Sequence, residues 1–66
     1  MNILNLSAAI AEDLESDKEY GEAAKHWLQA AKIEANKGND PMPYLSKNDW
    51  CAQKAYLDIL DATIMY

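Results

Sequence analysis

Evenly spaced apolar residues between Tyr20 and Ala31 constrain the fold of this chain more than any other feature. The residues that recur at three- and four-residue steps are Tyr20, Ala23, Ala24, Trp27, Leu28, Ala30 and Ala31. This spacing places them on one face of an α-helix. The alanines allow a neighbouring helix to approach closely, while Trp27 offers a large area for burial. The pattern predicts a helix over residues 19–36 that packs against other helices.

The segment before this helix has a helical pattern of its own. Its stripe is apolar except for one aspartate and consists of Leu6, Ala9, Ile10, Asp13 and Leu14. A short polar stretch follows, in which Ser16 or Asp17 is suited to cap the next helix. We therefore predict a helix over residues 4–16 that folds back on the second helix as an antiparallel hairpin.

Asparagine, glycine and proline residues cluster after the second helix and indicate that it ends there. We predict a loop over residues 37–47 and a third helix over residues 48–64. The start of that helix is marked by Ser46 and Asp49, which have capping-box spacing, or by Asn48 as a competing N-cap.

The third helix has an apolar face that is wider than packing against one small hairpin requires. Its members are Cys51, Ala52, Ala55, Tyr56, Ile59 and Leu60. An exposed face of this width is typical of a surface that contacts another protein. The sequence thus predicts an all-α fold in a single small domain over residues 1–66, with a surface left for a partner.

A chain of 66 residues needs help to remain folded, because a core of this size seldom supplies more than about 3–5 kcal/mol. Cys51 alone cannot form an internal disulfide, and together with His26 it cannot provide the four ligands of a structural zinc site. We therefore expect a homodimer formed through the third helix. The single thiol is typical of a reducing compartment, so we expect a cytoplasmic protein, with no segment resembling a signal peptide or membrane span.

The charge of the chain argues against DNA as a ligand. Eleven acidic residues against 6 basic ones give a net charge of −5, and every basic residue is a lysine. Without arginine, bidentate recognition of guanine is excluded, and the lysines form no basic cluster. A cluster of acids in the first half comprises Glu12, Asp13, Glu15, Asp17, Glu19 and Glu22. We interpret it as a solvated rim that would steer a basic partner.

The candidate catalytic residues do not form a recognisable site. His26 flanks an apolar stripe, and we expect Cys51 to be a small buried thiol in the core rather than a nucleophile. Gly21 and Gly38 cannot build a phosphate loop, and the acids lack the spacing of a calcium loop. We predict that the protein is not an enzyme and has no catalytic residue, cofactor, metal or small-molecule substrate.

The sequence resembles two known families. The strings that carry the resemblance are Glu19-Tyr20-x-x-Ala23-Ala24-x-x-Trp27-x-x-Ala30, Asn48-Asp49-Trp50 and Lys54-Ala55. The first string, with the helix before it, is similar to one hairpin of a tetratricopeptide repeat, although a solenoid needs about three such units. Together the strings resemble the ANR family, the AraC negative regulators of Gram-negative bacteria, which carry an arginine at the position of Lys54.

The ANR resemblance implies a small bacterial regulator that binds AraC-type transcription activators. It would block their dimerisation or DNA binding and so act in the negative regulation of virulence genes. The residues that we expect at the protein interface are Tyr20, Trp27, Trp50, Lys54, Tyr56, Leu57, Ile59, Leu60 and Ile64.

Three other functions share some of these features. A tetratricopeptide-like adaptor or chaperone would bind a peptide in the groove of the hairpin. A phage- or plasmid-encoded inhibitor of another protein would also be small, acidic and helical. A regulator that binds DNA directly would need a basic helix, which the sequence does not contain.

Overall fold

The computed structural model describes the backbone of residues 5–64 and the side chains of residues 5–61. Within this part of the chain there are three helices: α1 (Leu6–Ser16), α2 (Tyr20–Asn36) and α3 (Met42–Ile64). The prediction of an all-α fold is therefore confirmed. None of these described helices is long and apolar enough to cross a lipid bilayer.

Helix α2 lies between the other two and packs antiparallel to both. At one end of the molecule, the Asn5 side chain, which caps α1, donates a hydrogen bond to the carbonyl of Ala30 in α2 (3.0 Å). On the other side of α2, the Asn48 amide of α3 donates to the Ala24 carbonyl (2.7 Å). The predicted antiparallel hairpin is present, and α3 extends the chain into an up-down-up arrangement.

The core is formed mainly by alanines of α2. The buried apolar residues are Ala11, Ala23, Ala24, Trp27, Ala30, Ala31 and Cys51. The predicted face of α2 is confirmed except at Leu28, which is 39% exposed. Because most of these side chains are small, the neighbouring helices approach α2 closely, and Trp27 fills much of the remaining interior.

The stripe predicted for α1 is confirmed at Leu14, which packs half-buried against the core, but is wrong over the first part of the helix. Leu6 is 70% exposed and Ile10 is 38% exposed, whereas Ser7 and Ala11 are buried. The alanine-lined surface of α2 leaves little space for a large side chain, so α1 turns its small residues inward. The Asn5 side chain caps this helix by accepting a hydrogen bond from the Ala8 amide (3.2 Å).

The start predicted for α3 is also wrong, because the helix begins at Met42 instead of residue 48. The Asp40 carboxylate accepts a hydrogen bond from the Met42 amide (3.0 Å). The Pro41 carbonyl then accepts the Leu45 amide (3.0 Å), which closes the first helical turn. Pro43 is tolerated here, because an amide in the first turn has no partner within the helix.

The loop predicted over residues 37–47 therefore shrinks to residues 37–41. Ser46 and Asn48, which we predicted as caps, lie inside α3. The other helix ends differ by one or two residues from the predicted ranges. Helix α1 begins after Asn5, and Glu19 is the N-cap residue of α2 instead of its first residue.

Candidate protein-interaction surface

The two halves of α3 have different surroundings. A β-carbon placed on Gly21, in the first turn of α2, would lie 4.0 Å from the β-carbon of Ala55. Since Tyr20 is the first residue of α2, residues 56–64 extend past its N-terminal end, a length of about 13 Å. Near this end Tyr56 is 62% exposed and Leu57 is 53% exposed.

Trp50 lies in the first half of α3, five residues before Ala55, in a cluster of rings and lysines. Its ring contacts Tyr20 edge to face, with the centroids 5.7 Å apart and the planes at 84°. The Lys47 ammonium lies 5.2 Å from the Trp50 ring centroid, and the Lys54 ammonium lies 5.7 Å from it. These contacts hold the indole in place while 46% of the residue stays exposed.

We define the Trp50 surface as Tyr20, Trp50, Lys54 and Leu57. The Lys54 ammonium also lies 5.4 Å from the Tyr20 ring centroid, which ties α3 to α2. Leu57 follows Lys54 by three residues and Trp50 by seven, so helical spacing places these three side chains on one side of α3. The surface combines two aromatic rings, an aliphatic side chain and one cation.

Beneath this surface, the Glu15 carboxylate connects all three helices. It accepts hydrogen bonds from the Trp27 indole (3.1 Å), the Lys47 ammonium (2.9 Å) and the Cys51 thiol (3.4 Å). Burial by itself raises the pKa of Glu15, but the hydrogen bonds from Lys47, Trp27 and Cys51 outweigh it and leave the pKa below its ordinary value. Glu15 is thus half-buried between the helices, with 22% of its side chain exposed, so its assignment to a solvated acidic rim is wrong.

Cys51 is fully buried, as the sequence predicted. Burial, followed by the hydrogen bond to the negatively charged Glu15, raises the pKa of the thiol to about 11. The thiol therefore stays protonated at neutral pH and serves as a hydrogen-bond donor, the opposite of an activated nucleophile.

The other candidate ligands form no metal site in the described part of the chain. There, no group of three or more histidine, cysteine, aspartate and glutamate side chains is arranged to hold a metal ion. His26 is half-buried, and its Nδ1 atom has no hydrogen-bond partner among the described residues.

The structure distributes the nine predicted interface residues over different environments. Trp27 is only 4% exposed and lies in the core. Tyr20, Lys54 and Leu60 are half-buried, and the Ile64 side chain lies outside the described residues. The exposed members are Trp50, Tyr56, Leu57 and Ile59.

Two residues of the site were missed in the sequence. Lys47 contacts both tryptophan rings, and Tyr44 packs against Trp27 with the ring centroids 6.0 Å apart. The only local indication of the contact between Lys47 and Trp50 in the sequence was their spacing of three residues. The ion pair of Lys47 with Glu15 joins residues 32 positions apart and has no signature in the sequence.

Most of the acidic cluster lies at the same end of the molecule as the projecting half of α3. The exposed acids of the cluster are Glu12, Asp13, Asp17, Glu19 and Glu22. They belong to the end of α1, the turn and the start of α2, which adjoin the point where α3 leaves α2. Asp58 and Asp61 add negative charge on α3 itself. The charges in contact with the Trp50 ring itself are the ammonium groups of Lys47 and Lys54.

Comparisons with known proteins do not extend this description. No protein-family model, no curated protein and no solved structure matches the chain.

Proposed function

We propose that this protein is a small regulator that acts by direct contact with another protein, without catalysis. The observation that carries the proposal is the exposure of Trp50 and Leu57 beside Tyr20 and Lys54. Tryptophan and tyrosine are enriched among the residues that dominate binding energy at protein interfaces. An aromatic surface of this kind is more stable in contact with a protein partner than in contact with water.

The Trp50 surface is also prepared for binding. The ring is already held by Tyr20, Lys47 and Lys54, so a partner would lose little side-chain freedom when it docks there. The net charge of −5 and the exposed carboxylates of α1 and α2 would attract a basic protein and accelerate the encounter. The same negative charge disfavours nucleic acid as the ligand.

We propose an AraC-type transcription activator as the target. This choice is supported by the ANR resemblance, and a DNA-binding activator has the basic character that the acidic surroundings favour. Binding would block dimerisation or DNA binding by the activator, and the consequence would be negative regulation of virulence genes. The interaction would take place in the bacterial cytoplasm, where such activators meet DNA.

The test is capture of purified AraC-type activators by the immobilised protein. We expect Leu57→Asp to weaken capture by about tenfold or more, because it places a charge in an apolar contact. The matched control is Leu6→Asp, which makes the same change at an exposed leucine of α1 and should leave capture unchanged. Absence of capture by the unaltered protein, or equal losses in both variants, would contradict the proposal.

A mobility-shift assay separates this function from direct DNA binding. The protein alone should leave operator DNA unshifted, whereas adding it to an AraC-type activator should remove the shift caused by the activator. A shift produced by the protein alone would instead support a DNA-binding regulator.

A further inference from the structure

Helix α3 has a second apolar stripe, on the side that points away from α2. Its members alternate at three- and four-residue steps and are Met42, Leu45, Asp49, Ala52, Tyr56 and Ile59. This is the heptad spacing of a coiled-coil seam. The side of α3 that packs on α2 carries Cys51 and Ala55 instead, so the two sides do not compete for the same neighbour.

We define the α3 seam as Leu45, Asp49, Ala52 and Tyr56, the central part of this stripe. Of these residues, Asp49, Ala52 and Tyr56 are exposed and Leu45 is half-buried. Asp49 is the only charged residue in the stripe. The other charged residues of α3 lie elsewhere on the helix and are Lys47, Lys54, Asp58 and Asp61. The full stripe from Met42 to Ile59 has one charge in about two and a half heptads, which is compatible with burial against another helix.

The composition of the monomer core indicates that such burial is needed. Among the described side chains, five of the seven buried apolar residues are alanines, and Cys51 is the largest one that is fully buried. Larger apolar residues remain outside, including Met42 at 57% and Tyr56 at 62% exposure. A chain of this size gains stability from association when its own core is small.

The residues of the seam determine which orientation a second copy would take. In a parallel pair, equivalent positions face each other, so two Asp49 carboxylates would share one layer and two Tyr56 rings another. In an antiparallel pair, Tyr56 of each copy can face Ala52 of the other. The two Asp49 side chains are then about 15 Å apart along the axis, beyond the range of strong repulsion.

The surface beside Ala52 fits this arrangement. An open depression of about 360 Å³ is lined by Ala52, Gln53, Tyr56 and Leu57. Cavities of about 150 Å³ accommodate benzene, so this space admits a tyrosine ring. We propose that a second copy of the chain packs antiparallel along the α3 seam, with Tyr56 of each copy seated over Ala52 of the other.

This inference does not rest on the proposed function, because no residue of the α3 seam belongs to the Trp50 surface. The Trp50 surface and the depression beside Ala52 share only Leu57. Helical geometry separates Leu57 from Tyr56 by about 100° around the axis. If the chain does not self-associate, the capture experiment still tests the proposed function. If it captures no activator, sedimentation still tests the dimer.

The first test is sedimentation equilibrium at tens of micromolar. The unaltered chain should have twice its monomer mass of 7.4 kDa, and Tyr56→Asp should sediment as a monomer. Leu6→Asp, the same type of change at an exposed residue of α1, should remain dimeric. The melting temperature of the unaltered chain should also rise with concentration, which tests the dimer even where Tyr56→Asp unfolds. A monomeric unaltered chain, or equal loss of the dimer in Tyr56→Asp and Leu6→Asp, would overturn the proposal.

The second test determines the orientation. Chains carrying Ala52→Cys and chains carrying Tyr56→Cys are mixed and oxidised, and the disulfides are identified by mass spectrometry. The antiparallel pair predicts mainly the mixed disulfide between positions 52 and 56. Disulfides formed only between equivalent positions would overturn the antiparallel arrangement. The native Cys51 thiol does not interfere, because it is buried.

Discussion

The two halves of α3 belong to one helix but are stabilised in different ways. In the first half, Lys47, Asn48 and Cys51 form hydrogen bonds to α1 and α2. In the second half, Tyr56 and Leu57 are more than half exposed. The packed half thus contacts α1 and α2 through small and polar side chains and through Tyr44, whereas the projecting half leaves Tyr56 and Leu57 exposed. The difference shows that the size of an apolar side chain does not by itself place it in this core.

The largest expected effect on stability comes from Trp27, the core residue of α2 on which the packed half of α3 lies. Trp27→Ala removes the one large buried side chain and its hydrogen bond to Glu15. We expect a loss of about 3–5 kcal/mol in the free energy of unfolding, enough to unfold most of the chain. Thermal and urea unfolding followed by circular dichroism measure it.

The matched control for Trp27→Ala lies in the projecting half. Leu57→Ala should change the free energy of unfolding by no more than about 0.5 kcal/mol, because the side chain is largely exposed. Similar losses in the two variants would remove the distinction between the halves.

A smaller effect is expected from the charge that joins the packed half to α1. Glu15→Gln weakens the hydrogen bonds from Lys47, Trp27 and Cys51. We expect a loss of about 1–3 kcal/mol at neutral pH. Glu12→Gln, an exposed change on the same helix, is the control and should have little effect. Urea unfolding at neutral pH compares the two variants.

The pH dependence of stability provides a second measurement of Glu15. Its folded-state pKa lies below the ordinary value of 4.5, so its contribution is fully present above that pH and is lost as the pH falls through the folded pKa. Between pH 5 and the folded pKa, the unaltered chain should therefore lose more stability than Glu15→Gln. If the free energy of unfolding changes with pH in the same way in both proteins, the folded-state pKa of Glu15 is not lowered.

The smallest effect is expected where the two halves meet. Gly21 lies opposite Ala55, and an added methyl group would make an ordinary 4.0 Å contact there. Gly21→Ala should raise the free energy of unfolding by about 0.4–1 kcal/mol, since it restricts the unfolded chain and adds contact with α3. Urea unfolding measures the gain, and a loss of stability would show that α2 and α3 are closer at this point.

Gly38→Ala is the matched glycine control. Gly38 has a φ of +84° at the end of α2, a conformation that costs an alanine about 1 kcal/mol or more. The same substitution should therefore lower stability here while it raises stability at Gly21. Stability changes of opposite sign would show that backbone strain decides the effect at Gly38 and that packing contributes at Gly21.

The fold class and the best-defined helix could be predicted from local patterns. The helix predicted over residues 19–36 and the observed α2 (Tyr20–Asn36) differ by one residue, because Trp27 and the alanines repeat with the helical period. The start of α3 was missed because Pro43 was interpreted as part of a loop. The Asp40 cap and the first turn make proline acceptable at that position.

The candidate site was less accessible to sequence reasoning. Trp50 and Leu57 were expected at the surface and are exposed, but their roles in binding remain predictions. The cluster around Glu15 could not be predicted, because its members lie on three helices. Only packing brings Glu15 within hydrogen-bond distance of Lys47.

The sequence by itself determined that the chain forms helices and that α2 has an alanine-rich face around Trp27. Helical periodicity is a local property, and it is encoded within a few turns. The tertiary structure decided which sides of α1 and α3 face inward. Close approach to α2 admits Ser7, Ala11 and Cys51 and leaves Leu6 and Tyr56 outside. That selection depends on the distance between helices, which no single segment of the sequence contains.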